Sequence, residues 1–159
     1  MAKTKIKIGG IIRNSNLAKI GVMGIPDRPG VAGAILSALG RESINVEFIV
    51  QCIDLNNNDH VVFCVARDDL EVALSTLERI KSELGAKEVI YNPEVGIVSI
   101  FGPDFRERPG IAGAMFSVLA SAGINILAIS TSISTVSCVI DANLLPQAVE
   151  ALEKTFDMP

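Results

Sequence analysis

Ile25-Pro-Asp-Arg-Pro-Gly-Val-Ala-Gly-Ala34 and Phe105-Arg-Glu-Arg-Pro-Gly-Ile-Ala-Gly-Ala114 are two copies of one loop, and the rest of the chain is arranged around them. Each follows an apolar run, Ile20 to Ile25 and Gly96 to Phe101, and each opens a segment of helical periodicity, so each reads as a strand-to-helix turn. Pro29 and Pro109 suit the first helical position, where no amide hydrogen is needed. The Gly that follows lets a ligand approach the backbone. Unpaired N–H groups and the positive end of the helix dipole then point into the loop, which favours a carboxylate or other small anion. In the first copy Asp27 stands beside that positive pole and is placed to hold a cation. Together they suggest a zwitterion, hence an amino acid. Helix starts of this kind also occur in many folds with no ligand, so the loop alone leaves a purely structural reading open.

Outward from the first loop, Leu17 to Ile25 reads as a strand and Pro29 to Glu42 as a helix with Val31, Ile35, Ala38 and Leu39 on its apolar face. Ile44 to Asp54 and His60 to Arg67 are strands joined by the polar turn Leu55-Asn-Asn-Asn-Asp59. Asp59-His60 reads simply as the start of the second of these. Asp68 and Glu71 have capping-box spacing, and Leu70, Ala73, Leu74, Leu77, Ile80 and Leu84 define a helix ending near Gly85. Lys87 to Tyr91 is a short strand and Asn92-Pro93 a break. The order β-α-β-β-α-β is that of a ferredoxin-like domain, a four-stranded antiparallel sheet with two helices on one face.

The second loop starts the same order again. Strand Val95 to Phe101, helix Pro109 to Ala122, strand Ile124 to Ile133, strand Thr135 to Asp141 and a helix with Pro146 near its start follow in turn. Between Arg28-to-Asn45 and Arg108-to-Asn125 roughly half the positions are identical, the mark of an internal repeat. The final helix, with Leu145, Val149, Leu152 and Phe156 on one face, reaches Met158-Pro159 without a fourth strand. The N-terminal segment from Lys3 to Arg13, broken at Gly9-Gly10 and followed by a turn at Asn14-Ser-Asn16, is a strand without a partner in its own unit. The two facts answer each other: the N-terminal strand completes the second sheet. The first domain, 15–94, is thereby inserted into a second made of 3–14 and 95–157. The fold class is α+β, two ferredoxin-like domains.

Composition narrows the function. The chain has 159 residues and is 49% hydrophobic, enough for one domain or two small ones and for some surface to be covered by partners. It carries a net charge of −4 without a basic cluster, which argues against nucleic acid. No apolar run approaches a membrane span and Met1-Ala-Lys-Thr-Lys-Ile lacks a signal-peptide pattern, so a cytoplasmic protein is expected. Cys52, Cys64 and Cys138 lie in apolar or alternating runs and are expected to be buried, reduced thiols. His60 is the sole histidine, which removes two-His metal sites and leaves little for nucleophilic catalysis. There is no phosphate loop followed by Lys, and Gly21-Val-Met-Gly24 has the wrong spacing for a dinucleotide site. No catalytic residue, metal or cofactor is expected.

The tandem repeat, the Asp27-Arg-Pro-Gly30 loop, the Ile44-Asn45 and Ile124-Asn125 strand starts, Gln51 at the end of its strand and Ile129-Ser-Thr-Ser132 together resemble the paired ACT domains of aspartate kinase. The similarity runs from Thr4 to Phe156. It implies a regulatory part without a catalytic domain, sensing an amino acid between ACT domains and shifting the balance between domain arrangements. The resemblance implies a ligand set of Asp27, Arg28, Pro29, Gly30, Val31, Ala32 and Gln51 from the first domain, with Asn125, Ile126, Ser130 and Ser132 from the second. Asp27 would take the effector's amino or hydroxyl group, Gly30 and Ala32 would offer backbone, and Gln51 a polar side chain. For Asn45 and Asn125, turn chemistry at a strand start is an equal reading. Where the family commonly has Glu after Ser-Thr-Ser, this chain has Ile133, which disfavours lysine and points to threonine. The second loop has no aspartate at the place of Asp27; Glu107, which stands there, and the nearby Asp104 are the candidates, or else the loop is structural. A homodimer and a catalytic kinase subunit are the implied partners. The alternatives are a free-standing tandem ACT regulator of another enzyme and a structural dimerisation module.

Overall fold

The computed structural model describes residues 4–159, apart from the Asp104 side chain, so the expected strand start at Lys3 and the candidate role of Asp104 lie outside it. In chain order the elements are β1 (Ile6–Lys7), β2 (Gly10–Pro26), α1 (Val31–Arg41), β3 (Val46–Ile53), β4 (Asn58–Ala66), α2 (Leu70–Leu84), β5 (Glu88–Phe101), α3 (Ile111–Ser121), β6 (Ala128–Thr131), β7 (Thr135–Asp141), α4 (Leu145–Thr155) and β8 (Phe156–Asp157). The chain divides into two compact units, residues 16–94 and residues 1–15 with 95–159.

In the 16–94 unit the strand order is β3-β4-β2-β5. β4 pairs antiparallel with both neighbours, Ile20 and Ile49 lying opposite Phe63, and Val22 and Gln51 opposite Val61. Alternation puts Val61, Phe63 and Val65 on one face, where Ala18, Ile20, Val22 and Ile25 meet Val31, Ile35 and Leu39 of α1 and Ala73, Leu77 and Leu84 of α2. Phe63, Ile20, Ile35 and Leu39 are fully buried there, and each such side chain contributes roughly 1.5–3 kcal/mol relative to exposure.

In the other unit the N-terminal part of β2 completes the order β2-β5-β7-β6. Val98, Ile100, Val136, Cys138 and Ile140 form the inner face under Ile111, Met115 and Leu119 of α3 and Val149 and Leu152 of α4. The Phe101 ring lies over Gly9 and Gly10. A Cβ at either position would come within 2.9 and 3.0 Å of it, which accounts for the glycine pair. Each unit is thus a ferredoxin-like α+β domain.

Several boundaries differ from the sequence reading, each for a local reason. Asn14-Ser-Asn16 and Asn92-Pro93 are not breaks; they lie within β2 and β5, which run from one unit into the other. Asn16 takes a left-handed φ of 60°, a kink the strand absorbs, and Pro93, which has no N–H to pair, accepts on its carbonyl from Arg67 Nε at 2.7 Å. The second domain does have a final strand: β8 pairs parallel with β1, Ile6 opposite Phe156. The strand expected over 124–133 shrinks to Ala128–Thr131, with Ile133 outside it. Asp68 and Glu71 do not form a capping box. Residues 67–69 make a 3-10 turn in which the Leu70 N–H donates to the Arg67 carbonyl, satisfying the donor Asp68 was expected to meet. α2 ends as read, with Gly85 at φ 75° and its N–H on the Lys81 carbonyl. Cys64 and Cys138 are buried, but Cys52 is exposed, because edge strand β3 turns it outward.

Candidate functional site

The Asp27 loop is built by β2, α1 and the β3–β4 hairpin. β2 ends against β4, with Ile25 opposite Asp59 and Pro26 opposite Asn58, and the Asp27 N–H donates to the Asn57 carbonyl at 3.0 Å. That bond fixes where Asp27 leaves the sheet. α1 does not begin at Pro29, as the sequence suggested, but at Val31. Gly30 is its N-cap at φ 95°, a conformation costly for any residue with a Cβ. No side chain caps the helix, so the first-turn N–H groups of Val31, Ala32 and Gly33 have no intrahelical acceptor. Nothing lies within 4 Å of where a Gly30 Cβ would be, so the space over the helix start is open. Open amides at a helix start are suited to an anionic group.

Gln51 reaches the same place from β3. Its Nε2 donates to Asp59 Oδ2 at 3.2 Å. Asp59 is 0% exposed, and no donor reaches its Oδ1. Burial first, and then the Asp27 carboxylate beside it, raise the Asp59 carboxyl above its ordinary value; His60 and Gln51 pull the other way. Beneath it, His60 Nδ1 accepts from the Gly24 N–H at 3.2 Å, so the proton sits on Nε2, which faces Asp54 Oδ2 at 2.8 Å. The His60 bond first, then the Asn58 and Asn56 amides, hold the Asp54 carboxyl below its ordinary value. This chain from Gly24 through His60 to Asp54 clamps the hairpin that carries Asp59.

Of the residues implied by resemblance, Asp27, Gly30, Ala32 and Gln51 come together here. Pro29 lies on the exposed loop, and Val31 offers only its backbone, its side chain being in the core. The Arg28 guanidinium is engaged elsewhere: Nη2 and Nη1 donate to the Glu83 and Leu84 carbonyls at 2.9 and 3.2 Å, favourably placed at the α2 C-terminus. The remaining four belong to the other unit. Asn125 is exposed just after Ile124, whose N–H closes on the Leu119 carbonyl, and Ile126 packs against that unit's core. Ser130 pairs with Ser137, whose Oγ lies 2.7 Å from Ser99 Oγ, and the Ser132 N–H closes the β6–β7 turn on Thr135. Sequence reading missed Asp59, His60 and Asp54 as a set. The signal was present: stepping the Val61, Phe63, Val65 alternation back by two lands on Asp59, an acid on a core-facing position.

The second loop is built differently. Gly110 caps α3 at φ 91°, again without a side-chain cap, so the helix start is repeated. But residues 103–106 form a 3-10 turn that lays Phe105 on the unit's core, while Glu107 stays exposed.

A fold of two ferredoxin-like units, each with an open, glycine-capped helix start after its first strand, defines a class, and comparison with known proteins agrees. Two family models, each described as an ACT domain, match residues 20–85 and 98–156. Aspartate kinase from Pseudomonas putida is 42% identical over 151 residues, covering 95% of this chain and 37% of that protein. The chain thus spans little more than a third of the curated relatives it matches. Among solved structures, the ligand-free regulatory subunit of aspartate kinase from Thermus thermophilus is 33% identical with a TM-score of 0.86, covering 94% of this chain and 99% of that one. A structure of aspartokinase alpha and beta subunits is 36% identical with a TM-score of 0.86, covering 93% and 97%. The chain belongs to the family of tandem ACT-domain regulatory regions of aspartate kinase.

Among the described residues no helix is long and apolar enough to cross a membrane, and no group of three or more metal-ligating side chains is found.

Proposed function

We propose that this chain is the amino-acid sensor of an aspartate kinase, binding threonine in feedback control of aspartate-family amino acid synthesis. The observation that carries the reading is the Asp27 loop: a carboxylate beside the uncapped amides of Val31, Ala32 and Gly33, the two halves needed to hold a zwitterion. Gln51 stands at the same place and supplies a neutral polar group for a short side chain. In this reading Asn125, Ile126, Ser130 and Ser132 serve as closing contacts from a second ACT domain. Threonine is preferred to lysine because Ile133, 65% exposed, stands where a carboxylate would be needed for a distant ammonium.

The partners in this reading are a second copy of the chain and a catalytic kinase subunit, the arrangement named in the alpha and beta subunit structure of a relative. The effector acts by binding one arrangement of the ACT domains better than another. A thermal-shift panel of the twenty amino acids tests it. Threonine at about a hundred times its Kd stabilises the native state by about 2.7 kcal/mol, a rise of several degrees in Tm. If lysine alone raises Tm, the role given to Ile133 is wrong. If none does, the chain is an interaction module, the reading in which it serves as a dimerisation device.

A further inference from the structure

We infer that Asp27 and Asp59, the latter oriented by Gln51, form one two-carboxylate subsite that takes a primary ammonium group, making Asp59 a specificity-determining residue of the amino-acid site. The inference rests on the amino-acid-binding reading above.

A carboxylate buried to 0% exposure on the helix-covered side of a sheet is costly unless donors or a counter-charge compensate it. Asp59 has one donor, Gln51 Nε2 on Oδ2, and none on Oδ1. The charge that acts on it most strongly is of the wrong sign, the Asp27 carboxylate. Among the described residues the ion pairs are His60–Asp54, Arg79–Glu42 and Lys154–Glu150, and none involves Asp27 or Asp59. His60 is held by Asp54 and the Gly24 N–H, and Arg28 by the α2 carbonyls. The arrangement therefore lacks a cation.

The surroundings specify which kind. A hard metal ion needs oxygen ligands on several sides, and here Gln51 turns its NH2 end, not its oxygen, toward Asp59. A compact ammonium has three N–H donors, one each for Asp27 and the unpartnered Asp59 Oδ1 with one to spare. The open α1 amides stand next to Asp27 for the carboxylate of the same molecule. The groups facing Asp59 are Asp27 from the loop, Gln51 from β3 and His60 from β4, and of these only Asp27 opposes its ionisation. A bound ammonium offsets that opposition, so binding releases a proton wherever Asp59 is still partly protonated in the free protein.

Calorimetric titration of the full chain with L-threonine, for wild type and Asp59→Asn, tests this. The variant is expected to melt no lower than wild type, having lost a buried unpaired charge, yet to bind about tenfold or more weakly. Titrations in two buffers of different ionisation enthalpy at mildly acidic pH should show proton release in wild type and none in the variant. Equal affinity overturns the inference, as does lost binding with a lowered Tm and no proton release in wild type. Should wild type bind no threonine, the proposed function fails, and ethanolamine, a primary ammonium without a carboxylate, decides the subsite on its own. By carbon NMR of the Asp59 carboxyl, ethanolamine lowers its titration midpoint if the subsite exists; an unmoved midpoint overturns the inference without any variant.

Discussion

In the 16–94 unit the first loop ends over an acid, whereas the matching place in the other unit offers hydroxyls. Val61 and Val136 are the first apolar core-facing residues of β4 and β7 that follow each hairpin turn. Opposite these valines stand Gln51 and Thr131, and two positions before them stand Asp59 in one unit and Ser134 in the other. Above them, Asp27 sits on an open loop, while Phe105 in the other loop is folded onto its own core. The helix starts are alike, glycine-capped and without a side-chain cap. A duplicated backbone feature is therefore not a duplicated site. What distinguishes the units is the set of side chains around the helix start: the first sets Asp27 beside the buried Asp59 and Gln51, whereas in the second Glu107 is exposed and Phe105 lies on the core.

The largest contrast expected is in the cores. Phe63 and Cys138 occupy the same step of the alternation, and both are fully buried. Phe63→Ala should cost about 3–5 kcal/mol and Cys138→Ala about 1 kcal/mol, measured by denaturant unfolding. Similar losses would break the proposed equivalence of the two strands.

The loops come next. Gly30→Ala and Gly110→Ala each place a Cβ where φ exceeds 90° but no atom lies within 4 Å, so each should cost about 1–2 kcal/mol from backbone strain alone. Only Gly30→Ala should also weaken the threonine response; equal effects on binding would make the two loops functionally alike.

The pH dependence separates two acids within one hairpin. The Asp59 carboxyl is raised in the native state, so its contribution to stability is full below the ordinary carboxylate pKa and is lost as pH rises through the raised value. Asp59→Asn should then raise Tm at neutral pH, with the gain vanishing on acidification. The Asp54 carboxyl is lowered, so its contribution is present above the ordinary value and is lost as pH falls through the depressed one. Asp54→Asn should lower Tm at neutral pH and leave it unchanged in strong acid. Tm measured against pH for both variants checks the signs.

The smallest effect concerns the thiols. Burial pushes Cys64 and Cys138 up to about 12, while Cys52 lies exposed on β3. A thiol reagent should label Cys52 in the native protein and the other two only after unfolding.

The order of elements was legible because periodicity and the repeated loop act locally: Val31, Ile35 and Leu39, or Val61, Phe63 and Val65, announce their faces without tertiary information. Breaks were less legible. Asn16 and Pro93 carry turn signals, yet pairing along β2 and β5 outweighs them, and a single kinked residue does not end a strand whose neighbours are satisfied. The site was legible at Asp27 and Gln51, which lie in the loop and strand that resemble the family's. It was not legible at Arg28, whose fate depends on where the far end of α2 arrives. Nor was it at Asp59, where the Asn-rich turn drew attention from an acid facing inward.

The central claim is that amino-acid sensing belongs to the Asp27 loop and not to its copy. The measurement is the threonine-induced rise in Tm for wild type, Asp27→Ala and Glu107→Ala side by side. The account predicts that Asp27→Ala abolishes the rise while Glu107→Ala leaves it unchanged. A rise that survives in Asp27→Ala and disappears in Glu107→Ala would contradict it.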